Sequence, residues 1–128
     1  MGFDPTTTKP EMEFPGDVAP TELVIEDLRQ GDGAEAKVGD AISAHYVGVA
    51  HSTGEEFDAS WGRGEPLDFR LGVGQVIKGW DDGIVGMRVG GRRRLTIPAS
   101  LAYGDRGAGG AIKPGEALVF VVDLVDAR

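Results

Sequence analysis

The chain contains no cysteine among its 128 residues. Disulfide bonds, thiol nucleophiles and thiolate metal ligands are therefore all excluded. Basic residues are also scarce, since 13 lysines and arginines stand against 21 aspartates and glutamates, which gives a net charge of −8. A protein this acidic lacks the broad basic surface with which proteins bind nucleic acid, and anionic membranes should repel it.

Long hydrophobic runs are missing as well. No stretch approaches the roughly 18 apolar residues of a membrane helix. The start, MGFDPTTTKPEMEF, lacks the basic residues and the apolar run of a secretory signal. The length and the 41% hydrophobic content suit one globular domain. We therefore expect a soluble, cytoplasmic protein, and the sequence favours a monomer by default.

The first part of the chain is rich in proline. Four prolines lie within residues 1–20, at positions 5, 10, 15 and 20. Proline lacks the N–H donor that a helix or a central strand requires. Residues 1–20 are therefore predicted to form a flexible tail, in which EMEF (11–14) is a candidate edge strand, and residues 21–128 to form the domain.

The rest of the chain carries mostly strand patterns. The candidate strands are 22–28, 41–49, 55–60, 67–71, 92–97 and 117–125. The last is a continuous apolar run, typical of a buried central strand. One stretch, VIKGWDDGIVGM at 76–87, has a helical pattern, because Ile77, Trp80 and Ile84 recur at spacings of three and four. This order predicts an α+β fold, an antiparallel sheet with one short helix packed on it.

The predicted helix contains two glycines, although each costs roughly 1 kcal/mol relative to alanine in a helix interior. Gly79 and Gly83 lie four residues apart and form a bare ridge. We expect this ridge to let the helix approach the sheet closely. Trp80 then either forms the floor of a cavity on the concave side of the sheet or simply fills the core. The periodicity leaves both alternatives open.

Several kinds of catalytic site are absent. LGVGQVIKG lacks the third glycine of a dinucleotide-binding fingerprint, and Pro114 follows Lys113 where a phosphate-binding loop needs serine or threonine. His45 and His51 are too few for a metal site and are predicted to lie at the surface. The arginines at 92–94 are predicted to pair with surface carboxylates. No metal or cofactor is expected.

Four stretches together resemble the FKBP family of peptidyl-prolyl cis/trans isomerases, which also bind macrolide immunosuppressants. They are YVG at 46–48, GEEFDAS at 54–60, PLDFRLGVGQVIKGWDDGIVGMRVGGRRRLTIP at 66–98 and LAYGDRG at 101–107. The similarity runs from about residue 21 to the C-terminus. It implies a curved antiparallel sheet of five or six strands wrapped around the helix, with an apolar pocket between them.

The resemblance also implies roles for individual residues. Trp80 would be the pocket floor, and Asp58 a polar group at its edge, although Asp58 alone is equally typical of a turn aspartate that binds backbone amides. The backbone amide of Ile77 and the hydroxyl of Tyr103 would be donors to the ligand. The walls would comprise Tyr46, Phe57, Val76, Ile77 and Phe120, with Tyr103 and Ile112 on the loop above and Phe69 at the back.

This sequence departs from the family pattern at three positions. Leu67 replaces an aromatic residue of many members, and Ala108 and Ala111 thin the flap between Tyr103 and Ile112. We expect these residues to line the substrate site and to weaken contacts with bulky ligands. The expected function is rotation of X–Pro bonds in polypeptide clients by desolvation, in a pocket of about 300–500 Å³. The alternative is a non-catalytic module that binds proline peptides or macrolides in the same pocket.

Overall fold

The computed structural model describes residues 20–107 and 112–128. The predicted tail, apart from Pro20, lies outside the described residues, and so does its EMEF segment. Ala108 and Ala111, which the sequence assigns to the flap, lie outside them as well. Within the described part, no helix has the length and apolar character needed to cross a membrane.

The described residues form one six-stranded antiparallel sheet with one short helix. The strands are β1 (Val24–Arg29), β2 (Ala41–Ala50), β3 (Glu56–Ala59), β4 (Leu67–Arg70), β5 (Arg92–Ile97) and β6 (Leu118–Ala127), and helix α1 is Lys78–Gly83. Two 3₁₀ turns cover Trp61–Arg63 and Ala99–Leu101. The fold class and the number of strands agree with the prediction.

Strand order places the apolar run of β6 in the interior of the sheet, as its sequence predicts. The order is β1-β5-β6-β2, and β3 and β4 both pair with β2. β4 pairs with the first half of β2, opposite residues 41–44, whereas β3 pairs with residues 47–49. These two short strands therefore follow one another along the same flank of β2, and they bring residues of the predicted site to this flank of the sheet.

The helix is shorter than the predicted stretch 76–87. α1 has six residues, with Ile77 at its N-cap, and the chain leaves helical geometry after Ile84. Gly86 has φ +92°, a left-handed conformation that glycine adopts at little cost and that commonly ends helices. Trp80 and Ile84 are buried, as the periodicity predicts, while Ile77 is only half-buried.

The glycine ridge of α1 packs directly on β5, which confirms the predicted close approach. A Cβ atom built on Gly79 would lie 2.5 Å from Cγ2 of Ile97. A Cβ on Gly83 would lie 2.7 Å from Cδ2 of Leu95. Both contacts are far shorter than van der Waals distance, so a side chain at either position would push the helix off the sheet.

Gly79→Ala is therefore expected to destabilise the protein, although alanine has the higher helix propensity. We expect a loss of about 1–3 kcal/mol, typical of overpacking. Gly62→Ala is the matched control, because its Cβ meets nothing within 4 Å. The measurement is chemical denaturation, and Gly79→Ala should cost less in an Ile97→Ala background. A stabilised Gly79→Ala protein would contradict close packing.

Two of the three arginines at 92–94 are buried, and the prediction that they pair with surface carboxylates is wrong for Arg92, whose carboxylate partner is buried. Arg92 and Arg93 are each 9% exposed. Arg92 lies opposite Asp123 on β6, with Nε 2.6 Å from Oδ1 of a carboxylate that is 0% exposed. Burial of the guanidinium groups is tolerated because a carboxylate of a neighbouring strand pairs with each of them.

Arg93 links the sheet to the end of the helix. Its Nε lies 2.6 Å from Oδ1 of Asp27 on β1. Its Nη1 also donates hydrogen bonds to the carbonyl oxygens of Gly83 and Val85, at 2.9 and 3.1 Å. A cation at a helix C-terminus satisfies carbonyls that have no partner within the helix. Arg94 pairs with the exposed carboxylate of Glu26, so the predicted pairing with surface carboxylates is confirmed for Arg93 and Arg94.

The histidines differ from the prediction too. His51 is buried. Its backbone N–H donates to the carbonyl of Ala117 at 2.9 Å, which continues the sheet beyond β2. His45 is half-buried because the following 3₁₀ turn covers it, and its ring stacks on Trp61 at 4.2 Å. Its Nδ1 lies 2.9 Å from Oγ of Ser60, and burial lowers the pKa of His45.

Candidate functional site

A cavity of about 220 Å³ opens between the sheet and the segment that leads into α1. Its volume is smaller than the predicted range. Trp80 lies on α1, and the other lining side chains come from β2, β3, β4, β6 and two loops. The lining residues are Tyr46, Phe57, Asp58, Leu67, Gln75, Val76, Ile77, Trp80, Tyr103 and Phe120.

The cavity rests on a cluster of aromatic rings centred on Trp80. The indole meets Tyr46 and Phe120 edge to face, with centroids 5.0 and 5.2 Å apart, and Phe69 at 5.6 Å. Trp80 is only 3% exposed, yet it lines the cavity. Trp80 is therefore part of the hydrophobic core and also borders the cavity.

The opposite wall depends on Gly48, to which the sequence analysis gave no role. Phe57 and Phe120 pack edge to face at 5.5 Å. A Cβ on Gly48 of β2 would lie 2.6 Å from Phe120 and 2.7 Å from Phe57. Glycine in a strand often marks a close approach of this kind. The absence of a side chain at Gly48 thus makes room for both rings.

A hydrogen-bonded cluster of Tyr46, Asp58 and Arg63 lies at the edge of the cavity. Tyr46 Oη donates to Asp58 Oδ2 at 2.5 Å. Arg63 donates to Asp58 Oδ1 at 3.1 Å and to Tyr46 Oη at 2.9 Å. Within the described residues, the carboxylate of Asp58 accepts bonds from side chains and none from a backbone amide, contrary to the turn alternative. Arg63 was not predicted as a site residue, because it is one of several exposed arginines.

The cluster keeps Tyr46 in its neutral form. Burial raises the pKa of Tyr46, and the hydrogen bond to Asp58 raises it further, whereas Arg63 opposes the shift. The hydroxyl therefore stays protonated at neutral pH and donates steadily to Asp58. This arrangement orients the phenol ring that forms one wall of the cavity.

The predicted site residues do not all line the cavity. Phe69 lies behind the floor, against Trp80. Ile112 is buried in the hydrophobic core and is not among the lining residues. Tyr103 does line the cavity and is 40% exposed, which places it at the mouth. Leu67 lines the cavity, and its contact with substrate stays a prediction.

The loop before α1 forms the rim and contains a lining residue that was not predicted, Gln75. The carboxylate of Asp81 accepts hydrogen bonds from the N–H groups of Gly72 and Gly74 at 2.7 and 2.9 Å, which ties the loop to the helix. Gln75 Oε1 accepts a hydrogen bond from the N–H of Arg70 at 2.8 Å. No sequence motif signals this contact, because it joins a loop side chain to a strand edge.

Comparison with known proteins places this geometry in a family. A model of FKBP-type peptidyl-prolyl cis-trans isomerases matches residues 33–125. An FK506-binding protein of Streptomyces anulatus is 66% identical over 118 residues, which cover 91% of this chain and 95% of that protein. Peptidyl-prolyl cis-trans isomerase FPR2 of Saccharomyces cerevisiae is 53% identical over 94 residues, covering 73% of this chain and 70% of that protein.

The fold agrees with a solved structure of the same family. The crystal structure of AtFKBP13 superposes with a TM-score of 0.78 and 45% sequence identity, covering 88% of this chain and 98% of that one. The aromatic cavity and the short helix α1 within a curved sheet thus coincide with similarity over most of the sequence. This chain is a member of the FKBP-type peptidyl-prolyl cis-trans isomerase family.

Proposed function

We propose that this isomerase holds the ring of a substrate proline in the cavity over Trp80. The observation that carries the proposal is the composition of the cavity lining, in which five aromatic rings and three aliphatic side chains enclose about 220 Å³. Such a volume lies below the range typical of drug-sized ligands. It suits one small ring, with the flanking chain left outside at the rim.

An apolar cavity accelerates this reaction without a nucleophile. Rotation about an X–Pro bond is opposed by C–N resonance, which sets a barrier of about 18–20 kcal/mol. Resonance separates charge, and water stabilises the planar, charge-separated form. Transfer of the amide into an apolar cavity removes that support and lowers the barrier to twisting. A 10⁴-fold acceleration requires only about 5.5 kcal/mol.

Hydrogen bonds at the mouth would add stabilisation that the planar amide does not receive. Tyr103 supplies a hydroxyl there. Ile77 stands at the N-cap of α1, where backbone N–H groups have no partner within the helix. We assign Asp58 an electrostatic and orienting role, in which it fixes Tyr46 and Arg63 and transfers no proton.

The substrates that fit this cavity are proline-containing polypeptides. A macrolide is proposed as a competing ligand, in line with the name of the FK506-binding relative. The cytoplasmic location and the monomeric state stay predictions from the sequence, and so do the contributions of Ala108 and Ala111. A non-catalytic binding module would hold the same ligands but would leave the rate of an X–Pro peptide unchanged in a protease-coupled assay.

Asp58→Asn is expected to lower kcat/KM for a short X–Pro peptide by less than about fivefold. Asparagine keeps the acceptor for the Tyr46 hydroxyl and loses mainly an exposed ion pair with Arg63, worth up to about 1 kcal/mol. Asp82→Asn is the matched control, because it removes an exposed carboxylate paired with Lys78 elsewhere on the surface. The rates are measured by the protease-coupled assay or by NMR exchange.

The comparison with Trp80 decides the role of Asp58. If Asp58→Asn lowers kcat/KM as much as truncation of Trp80, the carboxylate takes part in the reaction directly, and the minor role assigned to it is wrong. If Asp82→Asn has an equal effect, the loss reflects overall charge and says nothing in favour of a local role.

A further inference from the structure

Strand β4 has an outer edge that is not paired with another strand within the described residues. β4 pairs with β2, and among residues 20–107 and 112–128 no strand borders its other flank. Leu71, directly after β4, exchanges backbone hydrogen bonds with Asp40 and Gly39 on the β2 side. Because backbone polar groups alternate in direction along an extended chain, those of Asp68 and Arg70 point outward. An unpaired edge of this kind is a template for an added strand.

One outward group of this edge is occupied by a side chain instead of a strand. The N–H of Arg70 donates to Oε1 of Gln75 at 2.8 Å, so a glutamine amide stands where the carbonyl of a neighbouring strand would lie. Gln75 also lines the cavity over Trp80. The side chain of Gln75 therefore lies both at the cavity over Trp80 and at the outer edge of β4, and it connects these two surfaces.

A second cavity, of about 320 Å³, lies on the other side of Gln75. It is lined by Ala41, Ile42, Ser43, Asp68, Phe69, Arg70, Gln75 and Arg128. The charged side chains of this second cavity differ in whether they already have a polar partner. Asp68 accepts a hydrogen bond from Ser43, and Arg128 pairs with Asp126.

Arg70 is the basic residue of this second cavity that can still form an ion pair with an incoming carboxylate. Its Nη1 donates to the carbonyl of Gly39, and among residues 20–107 and 112–128 no carboxylate forms an ion pair with it. Arg70 is exposed, in a protein of net charge −8. An incoming segment that carries a carboxylate would therefore meet a guanidinium group whose charge is not already neutralised by a direct partner.

We propose that a client polypeptide bound by its proline over Trp80 continues along the outer edge of β4 as an added strand. In this state the client backbone displaces the Gln75 amide from Arg70. An acidic side chain of the client then enters the second cavity and pairs with Arg70. The inference deepens the proposed function and rests on it, since the proline must occupy the first cavity. It assigns to this isomerase a preference for extended acidic segments next to the proline.

The test compares four X–Pro peptides by NMR exchange. One is a capped tetrapeptide, and the other three extend it on both sides with glutamates, with lysines, or with glutamates joined by N-methylated amides. We expect the glutamate peptide to exceed the tetrapeptide in kcat/KM by about tenfold, because it gains backbone hydrogen bonds and one ion pair. N-methylation should abolish most of this gain, since an N-methylated amide cannot donate to a strand edge.

Charge reversal identifies the residue that sets the preference. Arg70→Glu should invert the ratio between the glutamate and lysine peptides, from about threefold in favour of glutamate to a preference for lysine. Arg29→Glu, on the exposed strand β1 at the far side of the sheet, changes the net charge equally and should leave the ratio unaltered. An equal effect of the two reversals would overturn the inference.

The outcomes separate this inference from the proposed function. If the tetrapeptide itself is not catalysed by the unaltered protein, the proposed function fails. If the tetrapeptide is catalysed and all three extended peptides have the same kcat/KM as it does, the strand edge takes no part and the inference alone fails.

Discussion

Trp80→Ala is expected to reduce kcat/KM for a short X–Pro peptide by about thirtyfold or more, which corresponds to about 2 kcal/mol of transition-state stabilisation. The indole is the floor of the cavity and contacts three other rings. Its truncation admits water beneath the substrate amide, so the planar, charge-separated form regains the solvent support that the cavity removes.

Truncation of Trp80 will also destabilise the fold, by about 3–5 kcal/mol for a buried aromatic residue. Trp80→Phe separates the two effects, because phenylalanine keeps an apolar ring and costs less stability, and it should lower kcat/KM by about fivefold. Trp61→Phe is the matched control, since Trp61 stacks on His45 outside the cavity. Circular dichroism establishes that each variant is folded at the assay temperature.

The result that contradicts the desolvation mechanism is a folded Trp80→Ala protein whose kcat/KM lies within twofold of the unaltered enzyme. An equal loss in Trp61→Phe would also contradict it, because that ring does not border the cavity. Competition by a macrolide, measured on the same variants, should weaken in parallel with kcat/KM if both ligands place a ring over Trp80.

Asp123→Asn is expected to lower the free energy of unfolding by about 3–5 kcal/mol. The carboxylate is 0% exposed, and it lies in the middle of the sheet, 2.6 Å from Nε of Arg92. Removal of its charge leaves the buried guanidinium of Arg92 without this counter-ion. A buried charge that loses its carboxylate costs far more than an exposed one, because water does not replace the lost partner.

Glu26→Gln is the control for this prediction. Glu26 pairs with Arg94 across the neighbouring strands β1 and β5, but Glu26 is exposed and Arg94 only half-buried, so the expected loss is below about 1 kcal/mol. The double variant Arg92→Met and Asp123→Leu should recover much of the stability, since apolar groups of similar size replace the ion pair. Urea denaturation measures all three. A loss below about 1 kcal/mol in Asp123→Asn would show that the pair contributes little.

The sequence predicted those features that depend on residues a few positions apart in the chain. Periodicity identified Trp80 and Ile84 as residues of one buried face, and the spacing of Gly79 and Gly83 predicted the close contact of helix and sheet. Such patterns can be recognised in the sequence because each indicates which face of a single helix or strand is buried. The motifs shared with the family then pointed to the cavity, and nine of its ten lining residues were named in advance.

The features that the sequence did not predict join residues far apart along the chain. Arg92 and Asp123, separated by 31 positions, are buried together because their strands are neighbours. Arg63 reaches Tyr46 across 17 positions, and nothing near either residue signals the contact. The exposure of an arginine depends on what the neighbouring strand places opposite it, which no local pattern contains.

The sequence by itself thus determined the class of fold and the absence of thiol chemistry, and its resemblance to the family implied the apolar floor. Only the tertiary structure decided the volume of the cavity, the length of α1 and the position of Gln75 between the cavity and the edge of β4. The physical reason is that the buried face of a helix or strand is encoded by residues a few positions apart. The volume of a cavity, the partner of a buried charge and the pairing of a strand edge depend on segments that lie far apart in the chain.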